Sequence, residues 1–226
     1  TFSVIHTIEY QKVVAQMAQR ENARVGMPGS PPQYLYNLVT GLVVDTNGHV
    51  VTRLSNLDLQ DKQQNITVTT SDGAGHPARL IGVDCATGFA VLEVESLKTD
   101  PLSAADVTTI ATGTMVRILS TSVMTRAVQS PSGNRIFLKA SMTVTPGNIG
   151  TPSIYAKARG VLTLLSSSLL SRNDSSVVTN LQNQVLGIAQ YAGFGRAYLY
   201  PINFIRDIVA KRVIEKNGNV RAGWLG

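Results

Sequence analysis

Residues Pro146-Gly147-Asn148-Ile149-Gly150-Thr151-Pro152 set two glycines around one side chain, that of Ile149. Glycine reaches backbone conformations closed to other residues, so this spacing predicts a tight loop that offers one chosen side chain to a cleft. A hydroxyl or thiol in such a place, beside an imidazole and a carboxylate, is the apparatus of acyl transfer. The imidazole takes the nucleophile's proton, and the carboxylate orients the ring and stabilises its charged form. Isoleucine supplies none of this.

The other reactive side chains are few. His49 lies on a predicted strand six residues before Ser55, His76 in the turn after Asp72-Gly73, and Cys85 three residues before Gly88. Either histidine with Ser55 or Cys85 gives an unorthodox nucleophile as an alternative. A reactive thiolate needs an electropositive setting and a base, and the sequence shows neither around Cys85. No Cys/His cluster has zinc spacing, and one cysteine excludes an intrachain disulfide. No metal or cofactor is expected.

The elements that must position these residues are mostly strands. Thr7 to Ala23 follows a helical period through Ile8, Val13, Val14 and Met17, and Val25 to Pro32 breaks it. Short β-rich runs then alternate with turns: Tyr34–Val44, His49–Thr52, Asn65–Thr70, Arg79–Val83, Phe89–Glu95, Met115–Leu119, Ile136–Thr143, Ser153–Tyr155 and Gln184–Gln190. Such a chain predicts an antiparallel sandwich or barrel. Asn203 to Lys216 reads as a closing helix, with Asn203 as cap, Phe204, Ile205, Ile208, Val209 and Val213 on its inner side, and Gly218 just past its end. Ser166 to Ser176 is polar and low in complexity, and is expected to be a flexible loop.

Bulk properties bound the function. The 226 residues suit one large β domain or two small ones, and no apolar run reaches a membrane-spanning length. Thr1 to Tyr10 lacks the basic start and apolar stretch of a secretory signal, which a mature exported chain would have shed. The net charge of +6 raises a nucleic-acid or anionic-lipid binder as a further alternative. The densest basic cluster, Arg206, Lys211, Arg212 and Lys216, falls at helical spacing and reads as a solvated helix face, so no nucleic acid is expected.

Three ordered stretches resemble the HtrA serine proteases, a trypsin-like family. Thr40 to Asn56 is similar to SGxxxxxxGxIxTNxHV. Ile66 to Val94, ending in Asp84-Cys85-Ala86-Thr87-Gly88-Phe89-Ala90-Val91-Leu92, resembles ITVxLxDGxxxxAxVxGxDxxTDxAVLKV. PGNIGTP resembles PGNSGGP. Val185-Leu186-Gly187-Ile188 and Tyr200-Pro201-Ile202-Asn203 look like VIGI and IPIN. Val220 to Gly226 resembles the VxRGWLG that leads into a PDZ domain. The resemblance implies an all-β fold of two six-stranded antiparallel barrels with the cleft between them, here with an N-terminal and a C-terminal helix. It divides the chain into an arm (1–33), a protease-fold domain (34–219) and the start of a linker (220–226).

Carried over position by position, the family's histidine falls on Ser55, its aspartate on Gly88 and its nucleophile on Ile149, with Gly147, Asn148 and Ile149 as a vestigial oxyanion loop. The resemblance therefore implies a pseudoprotease, not an enzyme. Its role would be binding, scaffolding or regulation in the periplasm or another extracytoplasmic compartment, with a protein or peptide partner, an active HtrA paralogue or a homotrimer as its company. The link from Tyr155 to Val185 is longer than the family's short turn. Residues 156–184 read as an insertion away from the cleft.

Overall fold

A computed structural model describes residues 39–53, 66–70, 73–130, 133–151, 154–156, 160–166, 175–193 and 195–221, with the pairs 12–13 and 34–35. Two short strands, β1 (Lys12–Val13) and β2 (Tyr34–Leu35), pair with each other. The expected helix Thr7–Ala23 is thus extended at Lys12-Val13, where a β-branched side chain favours a strand. The rest of that helix lies outside the described residues.

The first lobe is a five-stranded antiparallel sheet in the order β3-β4-β7-β6-β5: β3 (Gly41–Val43), β4 (His49–Arg53), β5 (Ile66–Thr69), β6 (Gly75–Asp84) and β7 (Phe89–Glu93). It curls as a half-barrel around Val43, Val50, Ile66, Val68, Val83, Ala90, Leu92 and Val94. The second lobe contains β8 (Met115–Ser130), β9 (Gly133–Ile149), β10 (Ile154–Ala156), β11 (Gly160–Ser166), β12 (Ser176–Thr179), β13 (Val185–Gly193) and β14 (Arg196–Pro201). The ladder runs β9-β8-β12-β13-β14-β11, and β11 pairs back onto β9 through Leu165 and Ile149. That last pairing closes a six-stranded barrel. One six-stranded barrel of the expected pair is therefore closed, and the other is an open sheet among the described residues.

A shared core binds the lobes. Leu42, Val44, Val51, Phe89 and Val91 from the first pack with Leu119, Val177, Val185, Ile188 and Tyr200 from the second. The Phe89 and Tyr200 rings meet edge to face at 5.0 Å, a favoured aromatic geometry.

The closing helix seals this core. It begins with wide π-helical turns (Phe204–Ala210) and continues as α1 (Lys211–Lys216). The wide turns select Ile205, Val209 and Val213 as the buried face and leave Ile208 on the surface. Asn203 is itself helical and makes no side-chain cap, and Asn217, not Gly218, takes the left-handed conformation that ends α1. Arg206, Lys211, Arg212 and Lys216 are all exposed, as a solvated face requires. Past the helix the chain returns to the first lobe. Val220 N–H donates to the Val83 carbonyl at 2.8 Å and the Val220 carbonyl accepts from Cys85 N–H at 2.9 Å. The remaining residues of the linker expectation, 222–226, lie outside the described residues.

Candidate functional site

The turn joining β6 to β7 is built by Asp84. This buried carboxylate accepts from the Ala86 and Thr87 N–H groups, both at 3.0 Å, and from the Thr87 hydroxyl at 3.2 Å. Gly88 N–H then donates to the Asp84 carbonyl at 2.8 Å, and Gly88 takes a φ of +76°. This left-handed turn favours glycine, with Asp or Asn the next best tolerated. A β-carbon placed on Gly88 would lie 3.7 Å from Nε of Arg53, at the end of β4. The turn is intact, and it presents a bare α-carbon to a guanidinium group.

The two lobes meet beside it through hydroxyls. Thr40 Oγ1 accepts from Thr121 N–H at 2.9 Å and shares a 2.9 Å bond with the Thr121 hydroxyl. The Thr40 carbonyl accepts from Thr52 Oγ1 at 2.8 Å and from Ser175 Oγ at 2.7 Å. Ser175 Oγ also accepts from Arg53 N–H at 3.3 Å. All four hydroxyl residues are buried, Ser175 to 1% exposure. Among the described residues, Ser175 at the entry to β12 thus ties the second lobe to the Arg53 backbone. Ser55 lies two residues past the end of β4 and outside the described residues.

Ile149 is elsewhere. It is 1% exposed, inside the barrel with Val107, Val116, Ile118, Leu165, Val178 and Leu186. Its stretch is not a loop. Residues 144–149 alternate exposed and buried, with Thr145, Gly147 and Ile149 inward, which is the period of a strand. The expected oxyanion donor is spent on the sheet, since Ile149 N–H donates to the Thr114 carbonyl at 2.9 Å. Gly147 pairs with Val116, and Asn148 with Met115 and Ser166. The glycine at 147 serves packing: a β-carbon there would stand 2.7 Å from Ile118 Cδ1 and 3.2 Å from the Ser166 carbonyl oxygen. The expectation of a glycine-framed loop offering Ile149 to a cleft is corrected on both counts. A β-branched hydrocarbon at a strand's inward position goes to the core.

The insertion expected at 156–184 is corrected as well. It contains β11 and β12, two of the six barrel strands, so it is scaffold rather than an added surface.

Neither described histidine is bonded to Cys85, and Ser55, the other alternative nucleophile, lies outside the described residues. His49 Nδ1 pairs with Asp45 Oδ2 at 2.5 Å, at the end of β4 away from Arg53. His76 Nδ1 bonds Ser96 Oγ at 2.9 Å. Cys85 is exposed at the far end of β6 from His76, about 30 Å along an extended strand. No group of three or more His, Cys, Asp or Glu able to hold a metal occurs among the described residues.

Sequence reasoning missed the hydroxyl contacts. Thr40 and Thr52 lie inside the first resembling stretch, but nothing in their spacing marks them. Ser175 sat in a polar run that read as loop, and only Val177-Val178 beside it hinted at a strand.

Comparison with known proteins gives the arrangement its kin. Residues 39–188 match the family model of the trypsin-like peptidase domain. Over 199 residues the chain is 26% identical to a probable periplasmic serine endoprotease, DegP-like, of Chlamydia trachomatis, covering 83% of this chain and 35% of that protein. Proteins of the same description from Pseudomonas putida and Halomonas elongata are 24% and 23% identical, over 84% of this chain and 37% and 38% of theirs. The chain spans little more than a third of the length of these relatives.

Proposed function

The chain belongs to the HtrA-like trypsin-fold peptidases, and from that premise we propose that it is a member without proteolytic activity, retained to bind protein or peptide partners. The observation that carries this reading is Gly88. On this reading the family's carboxylate position carries hydrogen, on a turn held by the Asp84 hydrogen bonds, and the neighbouring side chain is the Arg53 guanidinium. A cation beside a bare α-carbon cannot orient an imidazole or stabilise imidazolium. The family's histidine position carries Ser55, which removes the general base.

The burial of Ile149 in the barrel favours a nucleophile position on a different segment from PGNIGTP. In the family pattern a short link separates PGNSGGP from VIGI. Here the strand a short turn ahead of Val185-Leu186-Gly187-Ile188 is β12, which supports a position in the sequence just before that strand. The Ser175 hydroxyl donates to the Thr40 carbonyl, and among the described residues no histidine is one of its hydrogen-bond partners. A neutral hydroxyl so placed is a poor nucleophile.

The relatives' description as periplasmic supports an extracytoplasmic site of action, and no helix among the described residues is long and apolar enough to cross a membrane. The resemblance at Val220 to Gly226 supports a PDZ-type domain following this one. An active paralogue or a second and third copy of the chain are the partners that fit.

The test is turnover of casein and of an unfolded protein by the pure chain, with labelling by a fluorophosphonate probe. Neither cleavage nor stoichiometric labelling is expected. Cleavage that co-purifies with the chain and is abolished by Ser55→Ala or Ser175→Ala would overturn the reading.

A further inference from the structure

The turn joining β12 to β13 is held by its own amides. Asn180 Oδ1 accepts from the Gln182 and Gln184 N–H groups at 3.0 and 2.9 Å, and Asn180 Nδ2 donates to Gln184 Oε1 at 2.7 Å. Asn183 N–H donates back to the Asn180 carbonyl at 3.1 Å, and Asn183 takes a φ of +62°. Asparagine is one of the few residues that tolerate this left-handed region. So placed, Asn183 Oδ1 accepts from Arg117 Nη1 on β8 at 2.6 Å. A guanidinium has five N–H donors. Among the described residues no carboxylate pairs with that of Arg117.

The surface around Arg117 is apolar. On β9 Val144, Pro146 and Asn148 are exposed and alternate with buried Thr145, Gly147 and Ile149. Arg117 stands in register with Pro146, and Met115 with Asn148. Leu181 lies in the turn that holds Arg117. Met115, Val144 and Leu181 are 54%, 52% and 48% exposed, three of the four large hydrophobic side chains so exposed among the described residues. Single exposed hydrophobics are ordinary, but a group of them around one residue marks an interaction surface. Residues 115–121, 142–149 and 180–184 hold one charged side chain, that of Arg117.

We infer that this is a docking surface for an apolar segment of a partner protein that carries one Asp or Glu among its aliphatic side chains. The occupant follows from the charge. A guanidinium already held by an amide loses little freedom on pairing with a carboxylate, and its planar fork suits that group. Apolar neighbours exclude water and strengthen such a pair. A nucleic acid or an anionic bilayer needs several cations and finds one here. A second copy docked about a two-fold axis through the patch would bring Arg117 against its own image. The inference rests on the proposed binding role and names the surface that performs it.

The experiment is fluorescence anisotropy with a labelled amphipathic helical peptide whose leucine-rich stripe carries one glutamate, against a twin with glutamine in its place. The glutamate peptide should bind at least about tenfold more tightly. Arg117→Gln should erase that preference, and Arg117→Lys should keep part of it. The pair Met115→Thr, Leu181→Asn should weaken both peptides alike. A circular dichroism melt of each variant checks that the barrel is intact. Equal binding of the two peptides, binding of neither, or a preference that survives in folded Arg117→Gln would overturn the inference. So would dimerisation of the peptide-free chain that Arg117→Gln abolishes, which would make a second copy the occupant. None of these outcomes bears on peptide cleavage, so the inactive reading stands or falls by its own turnover assay.

Discussion

Two glycine-bearing stretches carry the resemblance to a protease site, and the structure treats them in opposite ways. The Asp84 to Gly88 turn stands beside Arg53, close to where the lobes meet, held by a buried carboxylate, with its glycine in a left-handed conformation. The Thr145 to Ile149 stretch is an inward-facing barrel strand, whose glycine makes room for Ile118 and the Ser166 carbonyl. One glycine is required by torsion and the other by contact. A short string of matching letters cannot tell these apart; the neighbours of each residue can.

The contrast is broken most sharply by polar substitution at the second stretch. Ile149→Ser removes a fully buried side chain and leaves a hydroxyl in an apolar cluster. It is expected to cost about 3–5 kcal/mol. The midpoint of thermal unfolding would fall by roughly 10 °C or more for a chain of this size. A residue on an exposed cleft loop would change stability by no more than about 0.5 kcal/mol. No proteolysis should appear in Ile149→Ser, because the new hydroxyl faces Leu165 and Val116 rather than Arg53 and Gly88.

Asp84→Ala tests the first stretch. It removes the acceptor of two backbone N–H groups and one hydroxyl in a buried turn, with an expected loss of about 2–3 kcal/mol by urea unfolding. Asp84→Asn keeps the accepting oxygen and should recover most of that loss. Ser175→Ala ranks next. It deletes the donor to the Thr40 carbonyl and the acceptor of Arg53 N–H, for about 1–2 kcal/mol. If Ser175 is scaffold, hydrolytic background stays the same in this variant.

The sequence made some of this legible. Alternation and turn residues located β4, β5, β7 and β13, and the ordered motifs implied a two-lobed all-β fold. What escaped it was connectivity. Matching PGNIGTP to a loop motif forced residues 156–184 to look like an insertion, although Val161 to Leu165 and Val177-Val178 are ordinary strand-formers. Serines around them masked the pattern, and the closure of β11 onto β9 is a long-range pairing that no local period encodes. The Gly88 substitution needed only the order of residues after Asp84, because the turn is local. The contacts of Ser175 with Thr40, Thr52 and Arg53 span more than 120 positions and had no local signal.

The smallest expected effect bears most directly on function. Gly88→Asp restores the family's carboxylate to a turn that already has its φ near +76°. Aspartate is among the few side chains that visit this region, at a cost of about 1 kcal/mol. The new side chain's β-carbon would stand 3.7 Å from Arg53 Nε, so an ion pair offsets about 0.2–1 kcal/mol of that strain. Stability should therefore move by less than about 1 kcal/mol in a urea melt. Activity should not appear, because a carboxylate acts only through an imidazole and Ser55 supplies none. Cleavage by Gly88→Asp alone would mean that a histidine already stands at this turn, and the inactive reading would fall. Cleavage only when Ser55→His is added would show instead that the scaffold still holds its catalytic register and lacks only the side chains.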